Sequence, residues 1–423
     1  MQVLWGLGGM LVVLLLAFAM STNRRAINPR TVLGALAIQI LFAVIVLRWD
    51  VGKQALSAVS GAVQKVLDSS KEGIEFMVGP ILPGEGTVVA FQVLPIIVFI
   101  ASLTAVLYHW GVLQWVVRIL GGGLQKVLGT TRPESLNATA NIFLGMTEAP
   151  LTVRPYLPRM TRSEFFAVMT GGLATVAGTV MVGYAMLGAS LDHLIAASFM
   201  AAPAGLLMAK IIVPETGEKG TEEDSTEDAA EETAKDAPGA AKAPEADEAD
   251  NKPRNVIDAA ASGASDGVRL ALNVGGMLFA FVSLIALVNL VIGGVGGLFG
   301  LPDLSLQQVL GYVFSPLMWV IGVPWHEAVA AGGFVGEKVV LNEFVAFADF
   351  GPQIGQFSEK SATIITFALT GFANLGSLGV LLGGLGGMVP SKRSWIARDG
   401  VRAIIAGTLA NLLSATIAGV LVA

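Results

Sequence analysis

Asn137-Ala-Thr-Ala-Asn141-Ile-Phe-Leu-Gly145-Met146-Thr147-Glu148-Ala149-Pro150-Leu151 is apolar enough to enter a lipid bilayer and too interrupted to cross one. A second such stretch runs from Val323-Pro324-Trp325-His326-Glu327 to Gly336-Glu-Lys338-Val-Val-Leu-Asn342-Glu343-Phe344-Val345-Ala346-Phe347. In each, a short helix-like arm leads to a small polar residue followed by Glu, and a second apolar arm follows. Thr147 and Asn342 are of the type that caps helix N-termini, and Pro150 suits a first turn. The pattern predicts that Glu148 and Glu343 stand at the start of half-helices, where free N–H groups and the helix dipole favour negative charge. Irregular backbone at membrane depth survives only where it lines a cavity or is buried in protein. Paired interruptions in the two halves of a chain point to a transport site near the midplane.

The rest of the chain supports a membrane setting. It has 423 residues, 54% hydrophobic and only 14% charged, where soluble proteins carry about 25% charged residues. Of the net charge of −6, residues 214–254 contribute −9, leaving +3 for all the others. That stretch of Ala, Glu, Asp, Thr and Pro has almost no large apolar residue, which predicts a disordered acidic loop. Eight segments are long and apolar enough to span, near 2–20, 31–47, 87–108, 165–188, 191–213, 270–294, 361–384 and 401–422. The first lacks a basic start and a cleavage site and reads as a retained span. Residues 51–79 and 111–128 read as amphipathic interfacial helices. The fold expected is an all-α polytopic membrane protein with eight transmembrane helices and two re-entrant hairpins. A secreted enzyme, a nucleic-acid binder and a disordered scaffold are excluded, and the absence of cysteine excludes disulfides and thiolate chemistry.

Basic residues set the orientation. With both interrupted stretches dipping in and returning, inside loops hold 13 Lys/Arg and outside loops 6, the acidic loop apart. The termini then lie on the periplasmic side of a bacterial inner membrane and the acidic loop in the cytoplasm. Hairpin, span and span occur twice in opposite orientation, an inverted repeat. The chain divides into N-terminal scaffold spans (1–110), a first transport unit (111–213), the acidic loop (214–254), a long scaffold helix region (255–320) and a second transport unit (321–423).

A carboxylate at the bilayer centre costs roughly 2.5–3.5 kcal/mol on insertion scales unless it is compensated. A Na+, a proton or a polyhydroxyl ligand would serve. The plain structural alternative is that Glu148 and Glu343 only cap helices or pair with Arg154 and Lys338.

Gly336-x-Lys338-x-x-x-Asn342-Glu343-Phe344-Val345-Ala346-Phe347 resembles the signature of the concentrative nucleoside transporters. Thr147-Glu148-Ala149-Pro150-Leu151 with Arg154-Pro155 resembles that family's first hairpin, and Phe372-Ala-Asn374 with Ser377 its penultimate helix. The likeness covers nearly all of the chain except the acidic loop and is to the shorter bacterial form. It implies a homotrimer that carries nucleosides, purine or pyrimidine, inward across the lipid bilayer by symport with a cation, Na+ favoured over H+. It implies that Met146, Thr147 and Glu148 read the nucleobase and Val180 lines the base pocket. Glu343, Asn374 and Ser377 would hold the ribose, with Phe372 nearby. Asn141 and Thr175 side chains, with the carbonyls of Leu144 and Val176, would bind Na+. The family commonly has Gln where Met146 stands, which predicts an altered base preference.

Other signals are weaker. His326-Glu327 lacks the second His of a zinc-protease motif, no phosphate-binding loop is present, and Val182-Gly183-Tyr184 is a single copy of a potassium-filter triplet. No nucleophile–base pair suggests an enzyme, and no nucleic acid is an expected partner. A channel-like pore selective for nucleosides or cations, or a proton-coupled carrier of another polar small molecule, is the alternative.

Overall fold

The computed structural model describes residues 2–82, 88–217, 253–301 and 303–422. The predicted disorder of the acidic loop therefore falls mostly outside the described residues. All regular structure among them is helical, and the order of elements explains how two irregular segments are held at the centre.

Helix α1 (Gln2–Ala19), α2 (Pro29–Ala43) and α3 (Asp50–Val78) open the chain. Asn28 caps α2 on the Arg30 N–H with Pro29 at the first position, and α2 runs on through a π turn to Arg48. Helix α3 is amphipathic, as is α5 (Val112–Leu128), which follows α4 (Leu94–His109). Glycines in left-handed geometry bound α5 at both ends, Gly111 at φ 78° and Gly129 at φ 69°. Both amphipathic helices coincide with the stretches read from sequence.

Next comes the first arm–tip–arm segment: α6 (Arg132–Ala140), an irregular tip over 141–148, and a 3-10 helix over Ala149–Arg159. The second arm is not the α half-helix expected. Pro155 and Pro158 lie inside it, where α geometry would lose N–H donors and clash. The expectation that Thr147 caps it is also corrected: Glu148 stands at the cap position and makes no side-chain cap.

Helix α7 (Arg162–Ala174), capped by a Thr161–Glu164 capping box, unwinds over Thr175–Ala177 and resumes as α8 (Gly178–Met186). The span expected at 165–188 is thus broken in its middle. Helix α9 (Leu191–Ile212) follows and is almost wholly buried. Helix α10 (Val256–Gly297) is its opposite, 42 residues long and mostly unburied. It extends 14 residues before the stretch expected at 270, because small residues let it lie against α4. A Cβ on Gly267 would stand 2.7 Å from the Val98 Cα, and one on Gly263 2.6 Å from the Ala105 Cβ.

Helix α11 (Leu306–Val320), unforeseen in the sequence, bends by 118° into α12 (Trp325–Val340). The second tip leads to α13 (Glu343–Phe350), and here Asn342 caps as expected, accepting from the Val345 N–H at 2.9 Å. Helix α14 (Glu359–Leu369) unwinds over 370–376 before α15 (Ser377–Met388), and α16 (Arg393–Leu421) closes the chain. The same order (arm, tip, arm, broken helix, long helix) therefore occurs twice.

Helices α7, α9, α14 and α16 pack on one another as the core. Helices α1 and α2 lie against α16 and α9, whereas α4 runs along α10. Among the described residues, six helical stretches are long and apolar enough to cross a membrane, and the α11–α12 pair makes a seventh if taken as one span.

Candidate substrate and cation site

The second tip is the better fixed of the two. Glu343 is 5% exposed at the first position of α13. Its Oε2 accepts from Asn374 Nδ2 at 2.9 Å and its Oε1 from Tyr184 Oη at 3.1 Å. Asn374 sits in the α14–α15 break. Its Oδ1 accepts from the Ser377 N–H at 2.8 Å and from Ser377 Oγ at 3.0 Å, and Ser377 Oγ also bonds the Phe372 carbonyl at 2.5 Å. The structure thus gathers Glu343, Asn374, Ser377 and Phe372 into one network. Each carboxylate oxygen keeps a lone pair for a further donor. Tyr184, fully buried on α8, stacks on Phe347 at 4.4 Å and meets Phe344 edge-on. Sequence reasoning missed Tyr184, and the only signal was the Val182-Gly183-Tyr184 triplet.

The first tip is looser. Glu148 is exposed and its Oε2 accepts from the Gly145 N–H at 3.3 Å. Met146 is buried against α7, where a Cβ on Gly172 would stand 2.9 Å from its own. The Thr147 methyl lies 2.6 Å from where a Cβ on Gly384 of α15 would be, so the first tip touches the second broken helix. The Phe143 carbonyl accepts from the Gly178 N–H at 3.1 Å, tying the tip to the start of α8. Val180 lies two residues further on, in the first turn of α8, and is buried.

Between tip and break lies a group of uncompensated oxygens. Asn137 Oδ1, Asn141 Oδ1 and Thr170 Oγ1 are buried and have no hydrogen-bond partner among the described residues. Asn141 Nδ2 bonds the Asn137 carbonyl at 2.9 Å, which leaves its oxygen turned away. Thr175 Oγ1 donates to the Gly171 carbonyl at 2.9 Å, and Asn141 Nδ2 would stand 3.4 Å from a Cβ on that glycine. Asn141 and Thr175 therefore both neighbour Gly171. Val176 is buried in the break, while Leu144 is buried in a small apolar cluster with Val117, Ala140 and Ala149.

One residue joins both breaks. Asn411, in mid-α16, donates through Nδ2 to the Ala174 carbonyl at 2.6 Å and the Thr370 carbonyl at 2.8 Å. These are the carbonyls exposed where α7 and α14 stop. Its Oδ1 accepts from Lys338 Nζ at 2.8 Å, and the same ammonium donates to the Ala368 carbonyl at 2.7 Å. A direct backbone bond of 3.1 Å from the Phe372 N–H to the Thr175 carbonyl completes the join. Lys338 is fully buried and is neither a loop charge nor the direct partner of Glu343. Asn411 was missed in the sequence, where a lone amide inside the apolar stretch 403–420 was the available signal.

Two irregular tips packed on two broken helices, with a buried carboxylate network and oxygens facing a break, define a membrane transport protein. The chain belongs to the sodium-dependent nucleoside transporter family. Its family models match in order: "Na+ dependent nucleoside transporter N-terminus" over 8–81, "Nucleoside recognition" over 90–191 and "Na+ dependent nucleoside transporter C-terminus" over 193–419. The chain is 44% identical to the nucleoside permease NupC of Helicobacter pylori, covering 99% of this chain and 98% of that one. It is 51% identical to an uncharacterized transporter, YutK, of Bacillus subtilis over the full length of both. With sodium/nucleoside cotransporter 2 of the rat it shares 36% identity over 98% of this chain and 62% of the longer relative. The solved structure of CNTnw in an inward-facing substrate-bound state superposes with a TM-score of 0.90 at 49% identity, covering 100% of this chain and 98% of that one. The protein is a nucleoside transporter and not an enzyme.

Proposed function

We propose that the chain imports nucleosides by symport with Na+, holding the sugar at the second tip and the base at the first. The observation that carries this reading is Glu343: a buried carboxylate at a helix start, oriented by Tyr184 and Asn374, with acceptor capacity to spare. Vicinal ribose hydroxyls are donors of matching geometry, and bonds to a charged acceptor are about twice as strong as neutral ones. Asn374 and Ser377 complete the sugar side, with Phe372 beside them. Met146, Thr147 and Glu148 face the base, with Val180 as the apolar wall.

The oxygens of Asn141 and Thr175, with the carbonyls of Leu144 and Val176, fit Na+, a hard cation that takes oxygen ligands. The buried and unpartnered Asn141 Oδ1 supports this choice. The ion would tie the first tip to the break in α7–α8, so nucleoside and ion binding share the same backbone. A proton would not use such an oxygen set.

The reading includes eight spans and two re-entrant hairpins in an inner membrane, with periplasmic termini and a cytoplasmic acidic loop. It also includes a homotrimer, with exposed α10 side chains such as Leu272, Phe279 and Leu290 meeting lipid or other subunits. In this reading the spans of 1–110 and the helix region of 255–320 form the scaffold, and the two tip-bearing units, 111–213 and 321–423, move against it. The test is uptake of labelled uridine into proteoliposomes under an inward Na+ gradient or with choline at fixed pH. Accumulation in Na+ alone is expected, weakened by Asn141→Ala, and equal uptake in choline would refute sodium coupling.

A further inference from the structure

Glu337 lies ahead of the second tip, on α12 where that helix meets α11. The contact there is unusually close: a Cβ on Gly333 would stand 3.0 Å from the Gln307 carbonyl, and one on Gly332 2.7 Å from the Gly311 carbonyl. Glu337 is left with no exposure, and neither of its carboxylate oxygens takes a hydrogen bond from a donor among the described residues. What faces it is Gln307 of α11 and a second carboxyl group, Asp349 of α13. The nucleoside and cation sites use neither acid.

A fully buried carboxylate set against a half-buried one, Glu337 against Asp349, does not stay ionised together with it without a cation or a proton between them. The neighbouring amides decide which. The Leu306 N–H donates to Asn289 Oδ1 at 2.7 Å, which fixes the orientation of that amide on α10. Asn289 Nδ2 then donates to Gln307 Oε1 at 3.1 Å. Gln307 has therefore committed its oxygen and has only its amine to offer Glu337. A metal ion would meet an N–H group where it needs an oxygen, whereas a proton shared by two carboxyl groups needs no further ligand.

The surrounding charges are used elsewhere. Lys338 is bonded to Ala368 and Asn411. From α14, Ser358 donates to Glu327 at the far end of α12, and Gln353, just beyond α13, donates to Asp349 Oδ1 at 3.1 Å. From α10 and α11 the facing groups are the neutral amides Asn289 and Gln307.

We propose that Glu337 and Asp349 form a proton-binding site, one carboxyl group protonated and bonded to the other, which ties the two arms of the second tip together. Loss of the proton at alkaline pH leaves two negative charges facing each other across α12 and α13, which loosens the arm that presents Glu343.

Infrared spectroscopy of the full-length protein in lipid, without substrate, reads the C=O stretch of protonated carboxyl groups. At neutral pH, subtracting the spectrum of Glu337→Gln from that of the wild type should leave one such band, and subtracting Asp349→Asn should leave the same one. The band should disappear as pH is raised. Glu337→Gln supplies an N–H where the proton stood and is expected to fold; should it not, Asp349→Asn decides alone. A subtraction without a protonated-carboxyl band overturns the assignment. No nucleoside enters the measurement, so its outcome is independent of the proposed substrate.

Discussion

Glu343 and Glu148 stand at matching points of two arm–tip–arm segments, yet one is 5% exposed between Tyr184 and Asn374 while the other is exposed and accepts from the Gly145 N–H at 3.3 Å. The arms that follow account for the difference. After Asn342 a capped α-helix begins, and its first turn fixes the Glu343 backbone. After Glu148 the chain carries Pro150, Pro155 and Pro158 and winds as a 3-10 helix, which gives the carboxylate no comparable seat. A rigid acceptor suits the part of the ligand that all nucleosides share. An adaptable one suits the part that varies.

That contrast orders the expected effects. Glu343→Gln should cost most, about 3 kcal/mol or more than a hundredfold in nucleoside affinity by isothermal calorimetry, because it removes a charged acceptor for two hydroxyls. Glu148→Gln should cost about tenfold or less and alter the ranking of bases. Equal losses would break the contrast.

Asn411→Ala comes next, and it acts on both halves at once. It leaves Lys338 one hydrogen bond short and exposes the ends of α7 and α14, at a cost of about 2–4 kcal/mol. A lower Tm of the purified protein, with uptake falling in parallel, is the expected result. An unchanged Tm would mean that the two breaks are held independently.

Met146→Gln should have the smallest effect. Met146 packs on Gly172 and offers no hydrogen bond to a base edge, whereas Gln can donate and accept. A few-fold change in the rank order of purine and pyrimidine competitors is expected, on the scale of one neutral hydrogen bond. An unchanged order would remove Met146 from base recognition.

The legibility of the two halves also differed. Asn342-Glu343 announced a capped helix and the structure has one. Pro155 and Pro158, three residues apart, are the sequence signal against an α-helical arm after Glu148. The two helix breaks were hidden, because Leu173-Ala174-Thr175-Val176-Ala177 continues an apolar run and contains no proline. What unwinds it is tertiary: Asn411 and the Phe372 N–H satisfy the carbonyls that a continuous helix would have used. Helix α11 is hidden in the sequence by Pro316 inside it, and the first turns of α10 by their polar residues; in the structure they pack closely on α4. Tyr184 and Asn411 act from remote positions on partners that a linear reading cannot pair.

The central claim is that the buried carboxylate holds the sugar. Affinities of uridine and 3′-deoxyuridine for the wild type, Glu343→Gln and Glu148→Gln, all in saturating Na+, test it as a thermodynamic cycle. The wild type should prefer uridine by about tenfold or more, the worth of a hydroxyl bonded to a charged acceptor. Glu343→Gln should erase most of that preference and Glu148→Gln should keep it. A preference that survives Glu343→Gln and disappears in Glu148→Gln would contradict the account.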